Sequence, residues 1–128
     1  MAWQPSFSSP DLWASLAALD DAGLDRLDFG VIGFSTNGRI CHYNRTESAS
    51  TGLTPARLMG RHVFEDVAQC MNNFMVAQRF EDARAAGHSL DVVIEYVLTW
   101  RMKPTRVTLR LLARPPATVQ YLAIQRLT

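Results

Sequence analysis

The C-terminal third of the chain alternates apolar and polar side chains over long stretches, and this pattern constrains the fold most. Every second position of the first stretch is apolar: Val92, Ile94, Tyr96, Leu98 and Trp100. Such a period of two is typical of a half-buried β-strand. Residues 103–105 interrupt the alternation, which Val107, Leu109 and Leu111 resume; residues 114–117 form a turn, and residues 119–127 are a last β-prone run. The pattern therefore predicts three successive antiparallel strands.

A second β-rich region lies nearer the N-terminus, where residues 29–35 and 39–44 flank Asn37-Gly38. An Asn-Gly pair between two apolar runs is the strongest short-range signal for a β-hairpin. Strict alternation in the second strand would place Cys41 and Tyr43 on one face, and Ile40 and His42 on the other. Two strands here and three later predict an α+β domain with a five-stranded antiparallel sheet.

The first 27 residues have helical and not strand character. Ser9 and Pro10 resemble an N-cap and a first helical position, and Gly23 is suited to a C-terminal cap. The apolar residues that follow the start recur at helical spacing: Leu12, Leu16 and Leu19. We therefore expect one domain over residues 1–128, with a helical lid over residues 1–27 and a core over residues 28–128.

Three further helical segments are expected between the two groups of strands. Thr54-Pro55 begins a short helix that ends near Gly60, and a further turn or two falls within residues 62–67. Val76, Phe80 and Ala83 mark an amphipathic helix that ends near Gly87. These helices are expected to flank the sheet.

Composition excludes several classes of function. The chain has 128 residues, enough for one domain, and its net charge of +1 argues against a nucleic-acid binder. It has no apolar run of ~18 residues, so we expect no transmembrane helix, and the N-terminus does not resemble a secretory signal. Two cysteines are too few for a disulfide framework, so a reducing cytoplasm is the expected compartment.

The long connection between the second strand and the last helix is the segment most suggestive of chemistry. Tyr43, Glu47, Thr51 and Cys70 lie in or beside it. Taken singly, each has an ordinary structural interpretation: a core ring, a solvated carboxylate, a turn residue and a buried small hydrophobe. Cys41 is likewise expected to be a small buried residue. The alternative is that it lines a ligand-binding pocket.

Enzymatic and metal-binding interpretations are weaker. A cysteine nucleophile at Cys70 needs a nearby histidine, and no known Cys-His signature is present. The three histidines, His42, His62 and His88, match no common metal motif by their spacing. We therefore expect no enzyme activity and no metal site, with structural or surface roles for the histidines.

Several of these residues stand at the spacing of a known family. The chain resembles the photoactive yellow proteins, which are small blue-light receptors with a PAS fold. The resemblance covers almost the whole chain. The matching segments are residues 27–30, 37–44, Glu47, Thr51-Gly52, Gly60, residues 66–68, Cys70, Glu95-Tyr96, residues 102–107 and Arg126.

The resemblance implies a covalent chromophore, p-coumaric acid (trans-4-hydroxycinnamic acid), bound as a thioester to Cys70. It implies that Tyr43 and a protonated Glu47 donate hydrogen bonds to the buried phenolate, and that Thr51 supports Tyr43. Short, charge-assisted hydrogen bonds are what a buried phenolate requires. The remaining residues assigned to the chromophore by the resemblance are Tyr96, Leu98 and Met102.

A photocycle follows from the resemblance as a hypothesis. Light isomerises the chromophore from trans to cis, Glu47 gives up its proton, and the resulting unpaired buried carboxylate loosens the lid. The expected partner is an unidentified downstream signalling protein. We expect the chain to bind neither nucleic acid nor membranes, and to be a monomer or weak homodimer. The alternatives are a chromophore-free PAS sensor or dimerisation module, and a thiol-dependent enzyme or redox sensor that uses Cys70.

The chain departs from the family pattern at four positions. Leu53 stands where an arginine is known, Gln69 where proline is common, Leu98 where an aromatic residue occurs, and Val63 where phenylalanine is usual. The direct partners of the chromophore are all present, so the resemblance still implies that it is retained.

Overall fold

A computed structural model describes residues 4–99 and 103–127 of the chain. One antiparallel sheet of five strands has the order β2-β1-β5-β4-β3. Its strands are β1 (Gly30–Ser35), β2 (Ile40–Tyr43), β3 (Leu90–Leu98), β4 (Thr105–Ala113) and β5 (Val119–Arg126). The predicted five-stranded antiparallel sheet is confirmed. Trp100, the last apolar residue of the predicted third strand, lies outside the described residues.

Helical segments precede β1 and fill the connection between β2 and β3. The α-helices are α1 (Leu12–Ala17), α2 (Asp21–Asp25), α3 (Arg45–Thr51), α4 (Pro55–Leu58) and α5 (Ala77–Ala86). A π-helical turn (Val63–Val67) and a 3₁₀ turn (Gln69–Met71) lie between α4 and α5. The predicted helices near Pro55, within residues 62–67 and before Gly87 are all present. In the described residues, no helix has the length and apolar character needed to cross a bilayer.

The β1–β2 hairpin differs from its predicted alternation. Gly38 supplies the positive φ of 84° that the turn requires. Tyr43 pairs with Ile32, but Ile40 pairs with Phe34, so Cys41 is an extra residue in a β-bulge. Ile40 and Tyr43 are consequently both buried, and Cys41 is exposed. The prediction that Cys41 is buried is therefore wrong, and so is the placement of Ile40 on the face opposite Tyr43.

Each face of the sheet carries its own apolar core. On one face, sheet residues such as Ile32 and Leu122 pack against Phe64 and Phe80 from the segments between β2 and β3. On the other face, the N-terminal segment covers a second set of sheet residues: Val31, Leu112, Tyr121 and Ala123. Adjacent residues of one strand belong to opposite cores because side chains alternate across a sheet.

The N-terminal segment is helical, as predicted, but its caps differ from the prediction. Helix α1 begins at Leu12, and its N-cap is Asp11 with a φ of 48°. The Ser9 hydroxyl accepts a hydrogen bond from the Ser6 backbone N–H at 2.8 Å instead of capping a helix. Gly23 lies inside α2, where its N–H donates to the capping carboxylate of Asp20 at 2.8 Å. A local hydrogen bond to Ser6 thus replaces the predicted Ser9 cap.

This segment, residues 4–27, is held by polar contacts as well as by its core. Arg110, which is buried, donates to the backbone carbonyls of Phe7 at 2.9 Å and Ser9 at 2.8 Å. The same guanidinium forms a two-point pair with Asp91 at 2.8 and 2.9 Å. The lid is therefore tied to β3 and β4 more firmly than its short helices suggested.

Candidate functional site

Helix α3, which sequence patterning did not predict, positions two of the candidate residues. Asn44 caps it by accepting from the Glu47 N–H at 3.1 Å, and Gly52 ends it with a φ of 77°. Glu47 and Thr51 stand one turn apart on this helix, so both side chains face the same region. The Thr51 hydroxyl donates to the Glu47 carbonyl at 3.0 Å, which fixes its direction.

Glu47 is the charged centre of the site and is only 3% exposed. Its side chain lies across Gly30 of β1, where any Cβ would collide with the carboxyl group. Both carboxylate oxygens accept from Arg126, at 2.6 Å and 3.1 Å. Burial alone would lower the pKa of Arg126, but the hydrogen bonds and charge of Glu47 outweigh this and raise it. The pair is therefore a two-point ion pair in a largely dry place.

Tyr43 supplies a neutral hydroxyl next to this pair. Its Oη lies 2.8 Å from the Thr51 Oγ1, and since Thr51 donates to Glu47, Tyr43 donates to Thr51. Burial raises the pKa of Tyr43 to about 12; the Thr51 hydrogen bond opposes this, the Glu47 charge adds to it and the Arg126 charge opposes it. At neutral pH the group is a phenol that can donate a hydrogen bond.

Cys70 reaches the site from the irregular segment before α5. Its half-buried side chain follows the π-helical turn, which His62 caps by accepting from the N–H groups of Phe64 and Glu65. Tyr96 donates its hydroxyl to the Cys70 carbonyl at 2.6 Å, and Asn73 donates both to that carbonyl and to Tyr96. The backbone at Cys70 is therefore fixed by side chains from β3 and from the segment before α5.

One small cavity brings these groups together. It encloses about 40 Å³, and its lining includes Tyr43, Glu47, Thr51, Leu53, Cys70, Leu98 and Arg126. Ligand pockets for drug-sized molecules are typically ~300–1,000 Å³, so this cavity has room for only a few waters. Larger clefts of the described residues are lined by neither Cys70 nor Glu47.

The structure brings together most of the residues that the sequence singled out. Those that line the cavity are Tyr43, Glu47, Thr51, Cys70 and Leu98. Tyr96 lies behind the cavity and contacts the Cys70 backbone. Met102 lies outside the described residues.

Three residues of the site were not predicted. Arg126 matched the family only as a position near the end of the chain, and its pairing with Glu47 spans 79 residues. Asn44 before Glu47 is a helix-capping pattern that could have been recognised. Gly30 within a strand is a known signal of close approach by another group.

The other candidate groups lie elsewhere. Cys41 lines a surface cleft of about 240 Å³ between α2, β2 and α4, where partial burial raises the pKa of its thiol. His42 lies 3.0 Å from Asp21, and His62 caps the π-helical turn. Residues 4–99 and 103–127 contain no cluster of three potential metal ligands. The described lining of the cavity also contains no histidine that could activate Cys70.

Comparison with known proteins identifies the family. Residues 18–115 match the PAS fold. The chain is 39% identical to photoactive yellow protein of Halochromatium salexigens and 35% identical to that of Rhodothalassium salexigens. Each match covers 101 residues, 79% of this chain and 80% of the relative.

A solved structure agrees with these matches. The photoactive yellow protein domain of the sensor histidine kinase Ppr from Rhodospirillum centenum has a TM-score of 0.80 and 31% sequence identity. The match covers 88% of this chain and 97% of that domain. The chain has a PAS fold and belongs to the photoactive yellow protein family of sensory proteins.

Proposed function

We propose that this protein is a blue-light photoreceptor, not an enzyme, with p-coumaric acid attached through a thioester to Cys70. The observation that carries the proposal is the cavity that joins the Cys70 side chain to Tyr43, Thr51 and Glu47. A thiol for attachment and two oxygen-bearing side chains for a phenolate are the donor set that such a group requires. The family relationship supports the same assignment.

The donor set fits the chromophore, but the cavity is too small for it as the side chains stand. Two lining side chains, Leu53 and Arg126, are partly exposed and have solvent to move into. The other groups are held more firmly, since Tyr43 is hydrogen-bonded to Thr51 and the Cys70 backbone to Tyr96. Loading of the chromophore is therefore expected to displace the rim and leave the anchoring residues in place.

Each residue has a distinct role in this proposal. The Cys70 Sγ forms an S–C bond with the carbonyl carbon of an activated p-coumaroyl donor, whose leaving group departs with the thiol proton. When bound, the group supplies blue absorption and light-driven trans-to-cis isomerisation. In the dark state Tyr43 would turn its hydroxyl proton from Thr51 to the phenolate, and protonated Glu47 would donate a second hydrogen bond. Thr51 would then turn its own proton to the Tyr43 oxygen and so orient that hydroxyl. By analogy with the family, the residues around the bound chromophore also include Tyr96, Leu98 and Met102.

The signal would pass from Glu47 to the lid through α3. When Glu47 gives up its proton, the new charge lies on a helix whose N-terminus is bonded to the lid. Asn44 donates to the carbonyls of Leu24 at 2.9 Å and Phe29 at 3.0 Å, and Thr46 donates to that of Leu27 at 2.5 Å. Movement of α3 would therefore disturb residues 24–29 first. A separate downstream protein would detect the loosened lid.

A chromophore-free PAS sensor is the second candidate. The small volume of the cavity and the direct Glu47–Arg126 pair favour it, because the carboxylate and the guanidinium bind each other without any ligand. In either case we propose a cytoplasmic protein that does not act on nucleic acid or membranes, and a monomer or weak homodimer.

An absorption spectrum distinguishes the two candidates. Purified protein is mixed with activated p-coumaric acid, and the visible spectrum is recorded before mixing, after mixing, under blue light and during dark recovery. We expect a blue-region band that bleaches in light and returns in the dark. Cys70→Ala should show no such band, whereas Cys41→Ala, which removes the other thiol, should behave like the wild type.

The opposite result is equally definite. If the Cys70 thiol remains titratable after mixing and no band forms, the photoreceptor proposal is wrong. The chromophore-free sensor would then be the better assignment.

A further inference from the structure

Arg126 has been given only the part of a movable rim side chain above, yet it is the direct partner of Glu47. It is the last residue of β5, and its guanidinium reaches the Glu47 carboxylate at two points. Its side chain is 22% exposed, against 3% for Glu47. Among the described residues, Arg126 is the only cation that lines the cavity.

The charges in the cavity can be counted for two states. With an anionic phenolate bound, Glu47 must be protonated to donate a hydrogen bond, and Arg126 is then the cation that balances the phenolate. Once the Glu47 proton has moved to the phenolate oxygen, the phenol is neutral and the carboxylate is the only anion. The proton moves within the cavity, and the net charge of the three groups is zero before and after.

The geometry of Glu47 and Arg126 in the structure matches the second of these states. Two charge-assisted hydrogen bonds satisfy the buried carboxylate, so it carries no large penalty for an unpaired charge. The sequence-based hypothesis assumed that ionised Glu47 would lack a partner. In the structure Glu47 has a partner, Arg126, which comes from a distant strand that periodicity could not place beside it.

We propose that Arg126 is a positioning residue that captures the Glu47 carboxylate after proton release, and thereby stabilises the light-adapted state and slows its dark recovery. This inference rests on the proposed function. It also gives the lid signal a different origin. Re-formation of the Glu47–Arg126 pair pulls β5 and α3 together, and α3 carries the hydrogen bonds to residues 24–29.

Two readouts test the inference, one of them without chromophore. Infrared spectra of the chromophore-free protein should contain no protonated-carboxyl band from Glu47 in the wild type. Arg126→Gln should produce such a band, and it should vanish in the double variant that also carries Glu47→Gln. Arg106→Gln, on the exposed surface of β4, is the matched control and should give the wild-type spectrum.

The second readout is the rate of dark recovery in the reconstituted protein. Arg126→Gln should recover at least about tenfold faster than the wild type, because loss of charged hydrogen bonds destabilises the light-adapted state. Arg126→Lys keeps the charge but not the two-point geometry, so it should give an intermediate rate. Arg126→Lys also keeps the test possible if Arg126→Gln folds poorly. Arg106→Gln should stay within about twofold of the wild type, since an exposed charge away from the cavity contributes little.

The outcomes separate the two proposals. A reconstituted wild type that cycles normally, with an unchanged rate in Arg126→Gln and Arg126→Lys, would overturn this inference alone. A protonated Glu47 band in the chromophore-free wild type would overturn it as well. A wild type that takes up no chromophore would end the proposed function and the role in recovery together, while the infrared spectra would still decide whether the ion pair forms.

Discussion

Burial makes the Tyr43 hydroxyl a weaker acid than that of an exposed tyrosine. An exposed phenol has a pKa near 10, whereas burial raises that of Tyr43 to about 12. The folded chain therefore holds the proton more tightly than the unfolded chain does. Because the hydroxyl stays protonated, Tyr43 remains a hydrogen-bond donor at any physiological pH.

This shift predicts an alkaline loss of stability. Between pH 10 and 12 the unfolded tyrosine ionises while the folded one does not, so the free energy of unfolding falls as pH rises. The contribution is fully present below pH 10 and amounts to at most roughly 2–3 kcal/mol. Urea unfolding at several pH values should therefore give a steeper decline for the wild type than for Tyr43→Phe.

Tyr121 provides a parallel case for the same measurement. Burial also raises its pKa to about 12, so Tyr121→Phe should remove a similar share of the decline. Wild-type and Tyr43→Phe curves that run parallel from pH 9 to 12 would contradict the assignment.

At the residue level, the sequence predicted single positions better than it predicted pairs. Tyr43, Glu47, Thr51 and Cys70 were found because the spacing of a family motif is a local property. Periodicity could not indicate the partner of Glu47, since Arg126 approaches it only through strand pairing in the folded sheet. The resemblance named the positions, and the three-dimensional structure supplied the partner.

At the level of elements, α3 depends on a single side chain. Asn44 is 2% exposed, and its oxygen accepts from the N–H groups of Glu47 and Val31, at 3.1 and 2.9 Å. Its amide nitrogen donates to the Leu24 carbonyl of the lid and to the Phe29 carbonyl just before β1. One residue thus caps the helix that carries Glu47 and connects that helix to β1 and the lid.

We expect Asn44→Ala to destabilise the protein by roughly 2–4 kcal/mol, from loss of a helix cap and of partners for buried backbone groups. Thr54→Ala is the matched control, because Thr54 caps α4 without any side-chain hydrogen bond. Thr54→Ala should lower the free energy of unfolding only slightly. Equilibrium urea unfolding measures both, and equal effects of the two substitutions would refute the special role of Asn44.

The elements that the sequence failed to predict have physical explanations. Helix α3 is short and lacks an apolar repeat, so its cap and Gly52 were the only signals. The bulge at Cys41 depends on pairing between β1 and β2, which alternation within one strand does not reveal. The start of α1 requires Asp11 in a left-handed conformation, and this is rare outside glycine. Strand β3 was predicted well because its alternation reflects burial directly.

The whole molecule consists of a sheet with the candidate site on one face and the lid on the other. The sheet is the shared layer, since neighbouring residues of β4 and β5 belong to opposite cores. Besides α3, the lid has a polar anchor at Arg110, which binds the Phe7 and Ser9 carbonyls and pairs with Asp91. Detachment of the lid must break this anchor as well as expose apolar surface.

We expect Arg110→Gln to loosen the lid selectively. The substitution removes donors from two backbone carbonyls, so amides of residues 12–27 should exchange with solvent faster, while amides of β1 and β5 change little. Native-state hydrogen exchange measures this residue by residue. Arg84→Gln, which breaks only the exposed Arg84–Glu81 pair, is the control and should leave all regions unchanged. Equal acceleration across the lid and the strands would show that Arg110 stabilises the fold as a whole, and that the lid does not open as a separate unit.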